Sequence, residues 1–204
     1  MAQAPERSPE RDAAIAAMLP HVPFDGWTYK SLRRGLADVG TEPEEAGSLF
    51  PGGASDMIEA FCDWADRRMI EAAASLDPSL RLHQRVRAVI ALRLQQNRMF
   101  KEAIRRALAL LALPGNARLA AICTARTVDA IWYAAGDKSA DFSWYTKRAI
   151  LAAVYGATVL YWLRDSNEDD AATLAFLDRR LAGVGRIGSL RRRAATAFNR
   201  PQPA

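Results

Sequence analysis

The segment AILAAVYGATVLYWL, residues 149–163, constrains the fold more than any other feature of the sequence. It carries no charge, and as a helix it would be apolar around its whole circumference, so every side of it must be covered. It is shorter than the roughly 20 residues that a membrane span needs. Its small residues, Ala152, Ala153 and Gly156, allow another helix to approach closely. We therefore expect either a central buried helix or, together with 168–182, a dimer face.

The rest of the chain predicts an all-α protein. Strand signals are almost absent, whereas apolar residues recur at helical spacing throughout. We expect roughly nine helices, at 8–19, 29–38, 43–49, 55–74, 79–97, 99–112, 117–135, 142–163 and 168–182. Three parts are predicted: a head over 1–53, a helical body over 54–185, and a basic amphipathic tail over 186–204.

The first three predicted helices have the layout of a helix-turn-helix head on a helical body. The stretch WTYKSLRRGLADVGTEPEEAGSLFPGG, residues 27–53, resembles the corresponding part of TetR-type repressors. Phosphate binding requires cations around the recognition helix, but residues 35–56 hold five acids and no Lys or Arg. The helix at 43–49 also lacks the Arg, Asn or Gln that read base edges. We expect a degenerate head and no nucleic-acid partner, with a ligand-responsive repressor as the alternative function.

Residue types and spacings give no sign of catalysis or of a bound metal. The two histidines and two cysteines fit no familiar zinc pattern, and phosphate-binding and nucleophile motifs are missing. The acidic segment RDSNEDD, residues 164–170, lacks the glycine and the closing glutamate of a calcium loop. It is predicted instead to begin a helix, with Ser166 or Asn167 as the cap. We expect no enzyme, no cofactor and no metal.

Charge and cysteine content indicate the surroundings of the protein. Cys62 and Cys123 are predicted to be buried thiols of a reducing compartment. The first residues resemble neither a secretory signal nor a transit peptide, so a cytoplasmic location is expected. The net charge of the chain is +5, and the tail contains five arginines and no acidic residue. Arg98, Lys101 and Arg105 form a second basic stripe, compatible with an anionic partner or lipid surface.

The segment DFSWYTKRAIL, residues 141–151, places three aromatic residues and two cations on the first turns of a predicted helix. A helix start normally favours acids, and core packing needs fewer rings. Exposed Trp and Tyr beside Arg are typical of the residues that dominate protein–protein interfaces. The alternative is that the rings cap the core and leave Lys147 and Arg148 in solvent.

The middle of the chain, residues 86–135, is dense in aliphatic side chains interspersed with alanines. Such a composition fits a filled core with close helix crossings, or an apolar tunnel with thin walls. If there is a tunnel, the candidate lipid-binding residues are Ile90, Leu94, Ile104, Leu108, Leu111, Ile122 and Ile131.

Two long motifs, IWY at 131–133 and AGDKSADFSWYTKRA at 135–149, carry a resemblance to a known family. Residues 128–185 closely resemble the C-terminal part of the ninth coenzyme Q protein family, accessory proteins of ubiquinone biosynthesis, and a looser resemblance extends to about residue 10. It implies a TetR-like fold without DNA binding, a homodimer, and a hydrophobic pocket for isoprenoid lipids or ubiquinone intermediates. It also implies support for the di-iron hydroxylase that acts on demethoxyubiquinone.

The same resemblance suggests which residues meet these partners. In the family, the aromatic pair that matches Trp144 and Tyr145 belongs to the surface that contacts the hydroxylase, and we expect Asp141, Lys147 and Arg148 to join it. A terminal amphipathic helix of the family engages membranes. Here the tail either binds an anionic membrane surface or is a disordered basic end. Its candidate membrane residues are Ile187, Leu190, Arg191, Arg192, Arg193 and Phe198.

The combined prediction is a non-catalytic, lipid-binding accessory protein of ubiquinone biosynthesis. It would present a polyprenyl quinone intermediate to the hydroxylase while associated peripherally with the inner membrane.

Overall fold

A computed structural model describes residues 5–137, 143–167 and 169–183 of the chain. These residues contain helices and no strand, which confirms the predicted all-α fold. The helices are α1 (Pro9–Met18), α2 (Val22–Asp25), α3 (Tyr29–Asp38), α4 (Ala46–Leu49), α5 (Gly53–Ala73), α6 (Leu82–Gln96), α7 (Lys101–Leu111), α8 (Ala117–Ala134), α9 (Ser143–Trp162) and α10 (171–183). Short 3-10 turns lead into α4, α7 and α8, at Pro43–Glu45, Arg98–Phe100 and Pro114–Asn116.

Local capping explains where the first helices begin. The Ser8 hydroxyl accepts the backbone N–H of Arg11 at 3.1 Å, and Pro9 occupies the first turn of α1. Thr28 and Ser31 form a capping box at the start of α3. The one-turn helix α2 was not predicted, because a single turn is too short to show periodicity.

The chain forms two compact units, Met1–Ala140 and Asp141–Ala204. In the first unit α5 is the central helix, and it packs against α8, α6 and α1. Helices α1 and α3 cross closely at Gly35, which has no side chain to keep them apart. A Cβ at this position would lie only 2.6 Å from the backbone carbonyl carbon of Ala17. The predicted division at residues 53 and 185 stays a prediction.

The head shares its hydrophobic core with α5 and α7. The buried indole of Trp27 donates its N–H to the backbone carbonyl of Ala103 in α7 at 2.9 Å. Its ring lies 5.5 Å from that of Phe61 in α5. Buried indoles require such a hydrogen-bond partner, so this contact fixes the orientation of Trp27. Packing against α5 and α7 therefore holds the head in place, and the head is not attached by a linker alone.

In the second unit, α9 and α10 are joined by the acidic loop. The Asp165 carboxylate accepts the backbone N–H of Thr173 at 3.1 Å and its hydroxyl at 2.6 Å. The buried indole of Trp162 donates to Asp170 at 3.1 Å, and Asp170 adopts a left-handed backbone with φ of 53°. The prediction that this segment caps the following helix is thus confirmed. The predicted cap at Ser166 or Asn167 is wrong, because α10 begins at residue 171 and acidic side chains of the segment accept the backbone N–H groups of its first turn.

Candidate functional site

The first turns of α9 expose an aromatic ring beside two cations. The Tyr145 side chain is 75% exposed, and Lys147 and Arg148 are half-buried on the same helix. The side chain of Trp144 lies outside the described residues, as does Asp141. The structure therefore brings Tyr145, Lys147 and Arg148 together within one turn, and the Tyr145 ring does not cap the core.

The exposed side of α9 continues as an apolar stripe. Tyr145, Ala149, Ala153 and Leu160 recur at helical spacing and are exposed, and Gly156, between the last two, is half-buried. Leu151 and Val154, on the other side of the helix, are buried. The uncharged segment 149–163 was predicted to need packing partners on every side of the helix. In the single chain, one side of this segment is exposed to solvent.

The seven candidate lipid-binding residues lie on α6, α7 and α8. Three of them, Ile90, Leu94 and Ile131, are buried, and the other four are half-buried: Ile104, Leu108, Leu111 and Ile122. Ile104 and Leu111 pack against the core that α7 shares with the head. An open cavity of about 300 Å³ lies in the head, and none of the seven lines it. Their lipid-binding role stays a prediction.

A buried polar cluster joins α5, α6 and α8 in the middle of the first unit. Arg93 Nη1 lies 2.6 Å from Asp66 Oδ1, and the Thr127 hydroxyl donates to Asp66 Oδ2 at 3.0 Å. Burial raises the pKa of the Asp66 carboxyl to about 6 although Arg93 opposes the shift. Sequence analysis missed this cluster, but Arg93 stands among Val89, Ile90 and Leu94, a sign that its side chain is buried.

The two cysteines meet beside this cluster, although they lie 61 positions apart in sequence. Hydrogen bonding between the thiols and desolvation both raise the pKa of Cys62. A thiol with a raised pKa holds its proton at neutral pH and reacts slowly. Within the part of the chain that the structure describes, no group of three or more His, Cys, Asp or Glu is placed to hold a metal ion.

The basic stripe lies at the start of α7, next to exposed apolar side chains. Met99 is 87% exposed just before α7, and Leu113 is 52% exposed just after it. Across residues 5–137, 143–167 and 169–183, no single helix has the length and hydropathy of a membrane span. The segments Arg98–Leu111 and Pro114–Ala134 have the required length and hydropathy only when they are taken together, and the chain bends by 97° between them. All six candidate membrane residues of the tail lie outside the described residues.

Comparison with known proteins places these features in a family. The COQ9 family model matches residues 117–188, which include the polar Thr127, the exposed Tyr145 and the acidic loop. The chain is 35% identical to "Ubiquinone biosynthesis protein coq9, mitochondrial" of Schizosaccharomyces pombe over 177 residues, which cover 85% of this chain and 69% of that protein. It is 31% identical to the proteins of the same description from rat and human over 182 residues, 85% of this chain. It spans 58% and 57% of their lengths.

The fold has a match among solved structures. A TetR transcriptional regulator from Nitrosomonas europaea superposes with a TM-score of 0.69 over 86% of this chain and 97% of that one. The sequence identity is 22%, so the likeness concerns the fold and confirms the predicted TetR-like architecture. The sequence matches place the chain in the COQ9 family of ubiquinone biosynthesis proteins.

Proposed function

We propose that this chain is a non-catalytic, lipid-binding accessory protein of ubiquinone biosynthesis. It presents a polyprenyl quinone intermediate to the hydroxylase that acts on demethoxyubiquinone. The observation that carries the proposal is the 35% identity to a curated COQ9 protein over most of the chain. The described structure adds three features that such a role requires: an aliphatic interior, an exposed aromatic docking residue and a basic, partly apolar edge.

The aliphatic interior supports the lipid-binding part of the proposal. Polyprenyl chains are sparingly soluble, because each CH₂ group removed from water gains about 0.8 kcal/mol. Buried aliphatic residues on α6 and α8, such as Ile90 and Ile131, offer an environment of this kind. A protein that shelters the polyprenyl tail lowers the cost of moving the quinone ring from the bilayer to an enzyme.

The exposed ring of Tyr145 supports the partner contact. Interfaces are enriched in Tyr, Trp and Arg, and a few such residues account for most of the binding energy. Tyr145 presents its ring to solvent while Lys147 and Arg148 lie within one turn of it. This composition fits a protein partner with an apolar pocket rimmed by acids, and we assign that role to the hydroxylase.

The edge formed by α7 supports peripheral membrane association. Met99 and Leu113 expose apolar surface just before and just after α7, and the basic residues Arg98, Lys101 and Arg105 lie in the turn before this helix and in its first turns. Apolar insertion combined with basic residues is how proteins lie on anionic membranes. The tail, residues 186–204, contains further basic and apolar residues that would bind the same membrane surface. We infer a peripheral position at the inner membrane.

The apolar stripe on α9 supports a homodimer. Beyond Tyr145, the stripe residues Ala149, Ala153 and Leu160 are exposed in the single chain, within the uncharged segment 149–163 of α9. A two-fold axis would bury these three residues against their own copies and leave Tyr145 to the hydroxylase, since a symmetric interface pairs the same patch on both subunits. Alanine at 149 and 153 permits the close approach.

The repressor alternative is disfavoured by the charge of the head. Glu42, Glu44 and Glu45 lie exposed on the turn into α4, where an operator-binding protein needs cations for phosphates.

Co-purification with the hydroxylase tests the proposal. Tyr145→Lys replaces an exposed ring with a charge, so it should abolish capture of the hydroxylase and leave the melting temperature nearly unchanged. Phe24→Lys, at a head residue that is 80% exposed, is the matched control and should leave capture intact. Undiminished capture by Tyr145→Lys would contradict the proposed docking surface.

A further inference from the structure

A groove opens in the head between the start of α1 and the turn that leads from α3 to α4. Its volume is about 300 Å³, and it is open to solvent. Two buried side chains, Ala14 and Leu36, form its floor, and its walls and rim consist of Pro9, Glu10, Ala13, Val39, Thr41, Glu45 and Leu49. We call this cavity the head groove.

The walls of the head groove are apolar and uncovered. Val39 is 56% exposed at the C-terminal end of α3 and lines the groove. The chain turns away at once through Gly40, which has a φ of 73° that favours glycine. Leu49, which also lines the groove, is half-buried. The groove therefore offers apolar contacts that no other part of the described chain takes up.

The rim of the head groove is acidic. Glu10 and Glu45 line it, and Glu42 and Glu44 are exposed on the same turn as Glu45. Among the described residues none of these four carboxylates forms an ion pair, whereas Asp38 and Asp56 nearby are bound to His21 and Arg11. The two carboxylates on the rim and the two on the adjoining turn would repel phosphates, so a nucleic acid does not fit here.

We propose that the head groove binds a basic helical segment of a partner protein, one that presents aliphatic side chains on one face. Its aliphatic residues would contact Val39, Leu49 and Ala13, and its Lys or Arg residues would pair with Glu45 and Glu10. The cavity is at the lower end of the roughly 300–1,000 Å³ typical of ligand pockets, a size that suits a few side chains. Amphipathic helices bind grooves of this kind through anchors at i, i+3, i+4 and i+7.

This surface is separate from those of the proposed function. The head groove shares no residue with the Tyr145 turn, the seven candidate lipid residues or the α7 edge. A COQ9-family protein could thus hold a second protein through its head while α9 contacts the hydroxylase.

A synthetic peptide tests the inference on the full chain. The probe is a fluorescein-labelled helical peptide of Leu and Lys, with Leu at i, i+3, i+4 and i+7, and binding is followed by fluorescence anisotropy. Val39→Asp and Glu45→Lys should each weaken binding at least about tenfold, because one removes an apolar anchor and the other reverses a rim charge. Both positions are exposed, so the melting temperature should hardly change. A peptide with Glu in place of Lys should not bind.

Glu71→Lys is the matched control, since it makes the same charge change at an exposed position of α5 that does not line the groove. It should leave the affinity unchanged. Amide NMR signals of Ala13, Val39 and Leu49 should shift during the titration. Three results would overturn the proposal: no binding of the basic peptide, equal weakening by Glu71→Lys, or signal shifts confined to residues outside the groove.

Discussion

Asp63 and Asp66 lie three positions apart on α5, and their surroundings shift the pKa values of the two carboxyl groups in opposite directions. Burial acts to raise the pKa of Asp63, but hydrogen bonds from Arg7 at 2.6 Å and Arg67 at 3.0 Å outweigh it and lower the pKa. At Asp66, also buried, desolvation prevails and raises the pKa from 3.8 to about 6 despite Arg93. One fold thus stabilises the charge of one carboxylate and disfavours that of the other.

Asp66 should make the protein less stable as the pH rises from about 4 to about 6. Its folded pKa exceeds the unfolded value, so the stabilisation is complete below the unfolded pKa and is lost as the pH passes the folded one. A shift from 3.8 to about 6 corresponds to about 3 kcal/mol. Urea unfolding across this range should show the decline in wild type, and Asp66→Asn should flatten it.

Asp63→Asn provides the opposite control. A lowered folded pKa stabilises the protein above the unfolded pKa, and this contribution is lost as the pH falls through the folded value. Asp63→Asn should therefore destabilise at neutral pH and leave the decline caused by Asp66 in place. If Asp66→Asn kept the full decline, Asp66 would not be its source.

Gly35 should be intolerant of any side chain. An alanine Cβ there would lie 2.6 Å from backbone atoms of both Ala17 and Met18, which cannot move without separating α1 from α3. Gly35→Ala should cost about 1–3 kcal/mol or more of unfolding free energy, measured by chemical denaturation. Gly47→Ala in α4 has open space around the added Cβ and should be neutral or slightly stabilising. Equal effects at the two sites would contradict the close crossing.

The fold could be predicted where its signals are local. The range of α3 follows from the cap at Thr28 and the turn at Gly40, and both are visible in the sequence. The one-turn helix α2 was missed because four residues carry no periodicity. The pairing of Asp66 with Arg93 depends on how α5 meets α6, and separate helix patterns do not contain that information.

The candidate sites show the same division. Tyr145 could be identified from a motif within a few residues, and its exposure agrees with a surface role. The head groove could not be identified in this way. Its floor depends on the close approach of α1 and α3 at Gly35, and this contact between helices is not visible in a local motif. The lack of charge in residues 149–163 predicted that this part of α9 needs neighbours on every side, but no sequence pattern shows which face the chain leaves exposed.

Leu160 should be essential for dimerisation. It is 59% exposed on the apolar stripe of α9, so Leu160→Glu would place a charge at the proposed two-fold interface. Light scattering after size-exclusion chromatography should show a dimer for wild type and a monomer for this variant. Leu113→Glu is the control, because Leu113 is 52% exposed but lies between α7 and α8. A monomeric wild type, or a dimer that survives Leu160→Glu, would contradict the interface.

Mass spectrometry of lipids extracted from the purified full chain tests the central claim most directly. Wild type and Val39→Asp should both release an isoprenoid or polyprenyl quinone in near-stoichiometric amount. Leu108→Gln should release much less, since it places an amide among the half-buried residues of α7 proposed to contact the lipid. A wild-type extract free of isoprenoid lipids, or one that Leu108→Gln leaves unchanged, would contradict the account.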